Sequence, residues 1–364
     1  MSVELCVVIP TLNERPNIKP MVKRLREVLD GVEWEAVFVD DDSSDGTPDL
    51  VRAISETDNR VRCLHRIGRR GLSSACLEGM GSTGARVLAV IDADMQHDES
   101  KLGDMLTIIR SGAADIVVGS RYMEGGSTGE WPRGRVIVSK GAATLAGLLF
   151  KDNARLTDPM SGFFMITRDA MMGAVRNMSG KGFKILVDIM ASSPNKLRVA
   201  EVPYTFRLRR AGETKLDTLV VWEYLVLLYD KMFGGVVPAR FLIFVTVGGV
   251  GAILHLVVLG SLFKGGLASF DAAQFFAAAT AMVANFSLNN IFTYRDARLK
   301  GARFAKGLAG FATICAVGAF VNVQVAHYLF TEGIPWWISG LLGAAIGAVW
   351  NYAVSSTIVW KKKG

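Results

Sequence analysis

Two patterns of apolar and polar positions divide the chain. In the first, strand-like runs "ELCVVIP", "EAVFVD", "RVRCLH", "RVLAVID" and "ADIVVGS" alternate with helical segments such as 17–29 and 71–83. That alternation predicts βαβ units and an α/β fold with a mainly parallel sheet. The second pattern begins near Pro238: stretches 241–263, 273–294, 307–330 and 336–360 are apolar and nearly free of charge. Each reaches the ~20 residues needed to span hydrocarbon, so four membrane spans are expected. Between the two patterns, residues 217–233, "DTLVVWEYLVLLYDKMF", carry a broad apolar face with Trp222, Tyr224 and Tyr229. This reads as a helix lying in the membrane interface. The expected organisation is a soluble domain at 1–215, an amphipathic interfacial helix at 216–235, and a four-span domain at 236–364.

The membrane half repeats itself. "FVTVGGVGAILHLVVLGSLF" aligns without gaps on "FATICAVGAFVNVQVAHYLF", pairing Phe244 with Phe311 and Gly251 with Gly318; "NFSLNNIFTYR" aligns on "NYAVSSTIVWK", pairing Asn285 with Asn351. The offsets, 311 − 244 = 67 and 351 − 285 = 66, describe two tandem helical hairpins. Each unit crosses twice, so the copies share one topology and fit an axis along the membrane normal. Asn285, Asn289, Asn290, Asn322 and Asn351 fall in or near the spans; bonding between helices, or a place in the headgroup zone, accounts for them better than a lipid path does.

Composition agrees with a membrane protein: 50% of residues are hydrophobic and 21% charged. The net charge of +7 comes from bases clustered at 207–215, 295–306 and 361–363, beside apolar segments. A cytoplasmic membrane surface explains that placement better than nucleic acid does, and the positive-inside rule then puts both termini in the cytoplasm of a multi-pass membrane protein. "MSVELCVVIPT" reads as a first strand rather than a signal peptide, so the soluble domain is expected to be cytoplasmic. Cys6, Cys63, Cys76 and Cys315 show neither metal-ligand spacing nor a disulfide framework.

Chemistry is concentrated at strand ends, where a parallel sheet opens its ligand crevice. Thr11, Asn13 and Glu14 follow the first strand, Asp40 to Asp42 the second, and Asp92, Asp94 and Gln96 the fourth. "PTLNERPN" carries neither the dinucleotide fingerprint nor the P-loop. Asp-x-Asp with Gln96 supplies hard oxygen donors suited to Mg²⁺ or Mn²⁺, which can offset the charge of a departing diphosphate. Asp-x-Asp after a strand is also ordinary turn and cap chemistry. His97 reads as a loop residue or one that supports the metal motif.

In combination, "VVIPTLNE", "VFVDDDSSDGT" and "VIDADMQH" resemble the inverting nucleotide-sugar transferases of glycosyltransferase family 2, with their GT-A type domain. "RGLSSA", "GSRY", "GGSTGEWPRGRVIVSKGA", "DPMSGFF", "GFKIL" and "EVPYTFRLRRAGETKL" narrow the likeness to the dolichyl- and polyprenyl-phosphate mannose synthases; the four-span half resembles the GtrA-like family. The resemblance implies that Pro10, Leu12, Glu14, Val39, Asp41, Asp92, Ala93, Asp94 and Lys184 bind the donor. It implies Asp92, Asp94 and Gln96 as metal ligands and Asp94, Arg121 and Arg209 as catalytic. Arg121, Arg135, Ser139, Arg209 and Lys215 would hold the acceptor phosphate, with Arg207 and Arg210 among the surplus cations that suggest a second anion. The Gln-x-x-Arg-Trp signature of processive synthases is missing, which favours single transfer. A phosphate acceptor is already ionised at neutral pH, so no general base is required, and Asp158 is only a secondary candidate for that role. The expected reaction moves mannose from GDP-mannose to a polyprenyl phosphate at the cytoplasmic face. UDP-glucose as donor, or a membrane half that translocates the lipid-linked product, are the alternatives.

Overall fold

The structure, a computed structural model, describes residues 3–147, 150, 156–180, 184–208, 239–294 and 297–360. The chain forms two compact units, Met1–Met232 and Phe233–Gly364. The expected interfacial helix lies outside the described residues, as do Arg209, Arg210, Lys215 and the C-terminal lysines.

The first unit is built on a seven-stranded sheet of β1 (Leu5–Thr11), β2 (Trp34–Asp40), β3 (Val61–His65), β4 (Val87–Val90), β5 (Ile116–Ser120), β6 (Phe164–Thr167) and β7 (Val199–Pro203), ordered β3-β2-β1-β4-β6-β5-β7. The five runs read from sequence are β1 to β5. The sequence reading did not single out β6 and β7; β6 is inserted antiparallel between β4 and β5, while the other pairings are parallel. Because side chains alternate along a strand, each continuous apolar run feeds two cores. Leu5, Val7 and Ile9 pack with α1 (Arg15–Val28) and α4 (Lys101–Arg110) on one face. Cys6 and Val8 pack on the other with α3 (Leu72–Gly81), α6 (Arg168–Val175) and α7 (Ile185–Ser192). At Gly79 of α3 any side chain is excluded, since a Cβ there would come within 2.4 Å of Val8 and 2.8 Å of Val39.

Pro10 sits inside β1 without breaking it. Val8 O accepts from Ile91 on the β4 side and Thr11 O from Asp41 on the β2 side. By alternation the nitrogen of Pro10 faces β4, whose pairing ends at Val8↔Val90. The missing donor therefore costs no ladder bond.

The second unit holds α8 (Ala239–Lys264), α9 (Phe270–Leu288) continued by a π-helical turn at Asn289–Thr293, α10 (Ala302–Thr331) and α11 (Trp336–Ile358). Segments Ile243–Lys264, Phe275–Thr293 and Ala302–Leu329 are long and apolar enough to cross a membrane. The repeat found in the sequence is a set of reciprocal contacts. Phe244 meets its counterpart Phe311 at 6.5 Å between ring centroids, and Tyr294 stacks on its counterpart Trp360 at 4.2 Å and 7°. Phe286 lies 5.6 Å from Phe311, while Tyr352, the counterpart of Phe286, lies 5.7 Å from Phe244. Such exchange of partners is the mark of a two-fold relation between the hairpins. Each hairpin also seats its asparagine on its glycine: a Cβ on Gly251 would lie 2.0 Å from Asn285 Oδ1, and one on Gly318 2.1 Å from Asn351 Oδ1. Asn290 bonds within the protein, its Oδ1 accepting from Leu299 N and from Trp360 Nε1.

Candidate active site

Among the described residues, three other than glycine adopt left-handed backbone, Asn13 (φ 57°), Asp42 (φ 61°) and Met95 (φ 64°), and each follows a different strand end of the crevice, β1, β2 and β4. Clustering of this sparsely populated conformation is characteristic of functional loops.

The loops after β1 and β2 are bonded to each other. Ser44 N donates to Asn13 Oδ1 at 3.0 Å, Arg15 N to Asp45 Oδ2 at 3.1 Å, and Glu14 N to the Thr47 hydroxyl at 3.1 Å. Asp40 is fully buried and accepts from Ser43 N, the Ser43 hydroxyl and the Thr11 hydroxyl. Asp41 accepts from Arg66 Nη1 and Gly71 N, both at 2.6 Å. Burial raises its pKa above the usual carboxylate value, against the opposing pull of the Gly71 amide and Arg66. Asp41 therefore already fastens the 66–71 loop to the end of β2. Pro10 and Val39 are buried, and the Val39 side chain points at α3, which leaves any ligand contact there to backbone. Leu12 and Glu14 are half-buried, and Glu14 accepts from Asn17 Nδ2 at 2.7 Å.

At the end of β4 the arrangement differs. The Asp92 side chain is 39% exposed. Its Oδ2 lies 3.1 Å from Nε2 of the buried His97, whose Nδ1 lies 2.9 Å from the Tyr204 hydroxyl. Ala93 and Asp94 are buried, and Asp94 Oδ1 accepts from Gln96 N at 3.1 Å. Gln96 donates its amide to Arg207 O at 3.1 Å, while Arg207 N donates to Gln96 O.

Arg121, 7% exposed, faces the fully buried Asp158, donating from Nε at 2.7 Å and Nη2 at 2.9 Å. Burial by itself would lower the guanidinium pKa, but Asp158 outweighs it and the net shift is upward. The guanidinium also sits 4.8 Å from the Trp131 ring centre and 5.4 Å from that of Phe206. Phe206 in turn lies 5.5 Å from the His97 ring. One aromatic cluster of Phe163, Tyr204, Phe206 and Trp131 thus joins the acidic end of β4 to the Arg121–Asp158 pair.

The remaining sequence candidates fall as follows. Lys184 donates to Met160 O at 3.3 Å, in the same loop as Asp158. Ser139 is half-buried on α5 (Arg133–Gly147), which also contributes the backbone of Arg135. Arg207 was expected to wait for an acceptor; instead it pairs with Asp98 at 2.5 Å and Glu99 at 2.9 Å and locks the loop after β4 to the segment after β7. Asp158 serves Arg121 rather than standing as a free base.

Among the described residues, no three His, Cys, Asp or Glu side chains form a metal cage. The donors at β4 are two carboxylates and an amide, one carboxylate being open toward solvent. That set fits a hard divalent ion which completes its shell with phosphate oxygens.

Comparison with known proteins places these residues in a family. Residues 6–172 match glycosyl transferase family 2, and residues 243–360 match the GtrA/DPMS transmembrane domain. A dolichol-phosphate mannosyltransferase of Pyrococcus furiosus is 32% identical over 357 residues, 98% of this chain and 99% of that one. The chain belongs to glycosyltransferase family 2, with a GtrA-type membrane domain. The dolichol-phosphate mannosyltransferase of Saccharomyces cerevisiae is 34% identical over 62% of this chain and 85% of its own. The polyprenol monophosphomannose synthase of Mycolicibacterium smegmatis is 33% identical over 58% and 80% respectively. This glycosyltransferase is accordingly a membrane protein with a GT-A type α/β domain. Around the candidate site the structure also brings in residues that the sequence does not single out: Arg66, Trp131, Phe163, Tyr204 and Phe206. The alternation of buried Val202, Tyr204 and Phe206 with the more exposed Pro203 and Thr205 was the available signal for the last two.

Proposed function

We propose that this enzyme transfers a single mannosyl residue from GDP-mannose to a dolichyl or related polyprenyl phosphate at the cytoplasmic membrane face, inverting the anomeric centre. The observation that carries this reading is the alignment, across nearly the whole chain, with a relative named dolichol-phosphate mannosyltransferase. Asp92, Asp94 and Gln96 would hold Mg²⁺ or Mn²⁺. When bound there, the ion would help neutralise the departing diphosphate. Asp41 and Arg66 shape the nucleotide side of the crevice. Asp158 holds the Arg121 guanidinium in one plane by accepting from Nε and Nη2; Nη1 would then serve as a donor to the acceptor phosphate. Ser139, Arg135, Arg209 and Lys215 would complete that phosphate site. The acceptor oxygen is already an anion, so positioning and charge stabilisation suffice for an in-line displacement. We assign residues 1–215 to catalysis, 216–235 to the membrane interface and 236–364 to four spans with both termini cytoplasmic. Arg298, Lys300, Arg303 and Lys306, which follow α9 and open α10, support that orientation.

The test is transfer by membranes carrying the full-length protein, with radiolabelled GDP-mannose or UDP-glucose, dolichyl phosphate, and a chelator arm. Lipid-soluble label from GDP-mannose, lost on chelation, is the expected result. Label from UDP-glucose instead overturns the donor assignment, and label only in water-soluble product overturns the acceptor.

A further inference from the structure

We propose that His97 is a positioning residue for Asp92 and that Tyr204 fixes the tautomer in which His97 does this, a role that rests on reading Asp92 as a ligand of the metal and diphosphate. Asp92 is the more accessible of the two aspartates, and a partly exposed aspartate ordinarily samples several rotamers. Here Oδ2 is held from behind, while Oδ1 is not part of that bond. An ionised carboxylate can only accept, so the hydrogen of the bond belongs to His97 Nε2. In the neutral imidazole Nδ1 then carries the lone pair, which the Tyr204 hydroxyl, 2.9 Å away, is placed to meet as donor. Burial raises the Tyr204 pKa above its ordinary value, which keeps that hydroxyl protonated.

The imidazole has little freedom to turn. His97 is 3% exposed, with the Phe163, Tyr204 and Phe206 ring centroids each 5.5 Å away. Tyr204 is itself fixed just beyond β7, its N–H donating to Ser120 O and its carbonyl accepting from Ser127 N. Gly162 also borders the carboxylate, where a Cβ would come within 3.3 Å of Oδ2. The chain of bonds Tyr204–His97–Asp92 therefore transmits the position of the β5 and β7 edge to the end of β4. This is the arrangement by which outer groups orient a metal-binding carboxylate, and losing such a partner typically weakens metal affinity about 10–100-fold.

The experiment is Mn²⁺ binding in the presence of GDP, followed by electron paramagnetic resonance of the free ion, on the full-length protein in detergent. His97→Phe keeps the ring packing without a donor and should weaken Mn²⁺ by about 10-fold or more. His97→Gln, which retains a donor, should recover much of the loss. Tyr204→Phe should give a smaller loss, with GDP affinity in the absence of metal unchanged. Wild-type Mn²⁺ affinity in folded His97→Phe overturns the positioning role, as does equal impairment by Phe and Gln. If His97→Phe does not fold, unchanged Mn²⁺ affinity in the near-isosteric Tyr204→Phe overturns it. Failure of the wild-type protein to bind Mn²⁺ with GDP is a separate outcome: it overturns the metal assignment, and the proposal with it.

Discussion

β2 and β4 both end in clustered aspartates, and the two clusters are used in opposite ways. After β2, Asp40 and Asp41 are buried and their oxygens accept from Thr11, Ser43, Arg66 and Gly71. The carboxylates fold two loops onto the crevice. After β4, Asp92 keeps more than a third of its side chain exposed and is steadied through one oxygen by His97. The difference lies in the neighbours: the β2 loop is rich in short hydroxyls, backbone amides and one buried arginine that consume acceptors. Both ends contain a left-handed residue, but Asp42 has a short polar side chain that tolerates this backbone and Met95 does not. The greater strain therefore sits on the end assigned to chemistry, as is common at functional loops.

The largest expected effect tests that assignment. Asp94→Asn keeps an acceptor for Gln96 N and so should fold, but should lower transfer by about 10²- to 10³-fold, the scale of losing one preorganised electrostatic contact. Exhaustive chelation should suppress the wild type comparably. Near-normal turnover in either experiment would mean that both aspartate clusters are structural. Asp40→Ala should show the reverse pattern. It removes the buried acceptor of Ser43 N, the Ser43 hydroxyl and the Thr11 hydroxyl, costing about 1–3 kcal/mol of stability by urea unfolding, with far less effect on turnover at saturating donor. An Asp40→Ala enzyme of wild-type stability and no activity would erase the distinction.

How far this was legible beforehand follows from what a residue's neighbours are in sequence and in space. Strands β1, β2, β4 and β5 and the acidic motif stand out because apolar runs buried on both faces stop abruptly in polar residues, while the half-buried β3 is marked by its place in the strand–helix alternation. β6 is four residues long and antiparallel, inside the motif "DPMSGFFMIT", so its functional neighbours mask its strand character. Arg207 reads from sequence as one of the surplus cations for a second anion because it opens a basic run; its partners in the structure, Asp98 and Glu99, lie more than a hundred residues earlier. Asp158 and Arg121, 37 residues apart, are likewise joined only by the return of the chain between β5 and β6. The tandem repeat was legible down to individual pairs such as Gly251 and Gly318, because two-fold related packing preserves residue size at equivalent positions.

Two glycines sharpen the comparison at smaller scale. A Cβ on Gly162 would press on Asp92 Oδ2 from 3.3 Å, so Gly162→Ala should displace that carboxylate slightly and reduce transfer by about tenfold or less, since a full 1 Å error can cost about 10²-fold. Stability should hardly change. Gly71, at φ +139°, donates its N–H to Asp41 and occupies backbone that side chains rarely adopt. Gly71→Ala should cost about 1–3 kcal/mol of stability, with turnover of the folded protein largely kept. Exchange of these two phenotypes would reverse the roles of the strand ends.

The smallest effect is a pH dependence at the β2 end. Burial is the leading influence on Asp41 and raises its folded-state pKa above 3.8, although Gly71 and Arg66 pull the other way. The folded protein therefore holds this proton to higher pH than the unfolded chain does. Stability falls with rising pH wherever the native state binds more protons than the unfolded state. The contribution of Asp41 is thus fully present below the unfolded carboxylate value and is lost as pH rises through the raised folded value. Asp41→Asn cannot titrate, and the other carboxylates are common to both proteins and largely cancel. The stability difference between wild type and Asp41→Asn, measured by urea unfolding from neutral pH down to about pH 4, should shift in favour of the wild type as the pH is lowered. A flat difference would show that Asp41 titrates alike in both states. The opposite slope would show that the Arg66 pairing outweighs burial, making the β2 end an ionic lock rather than a desolvated, hydrogen-bonded turn.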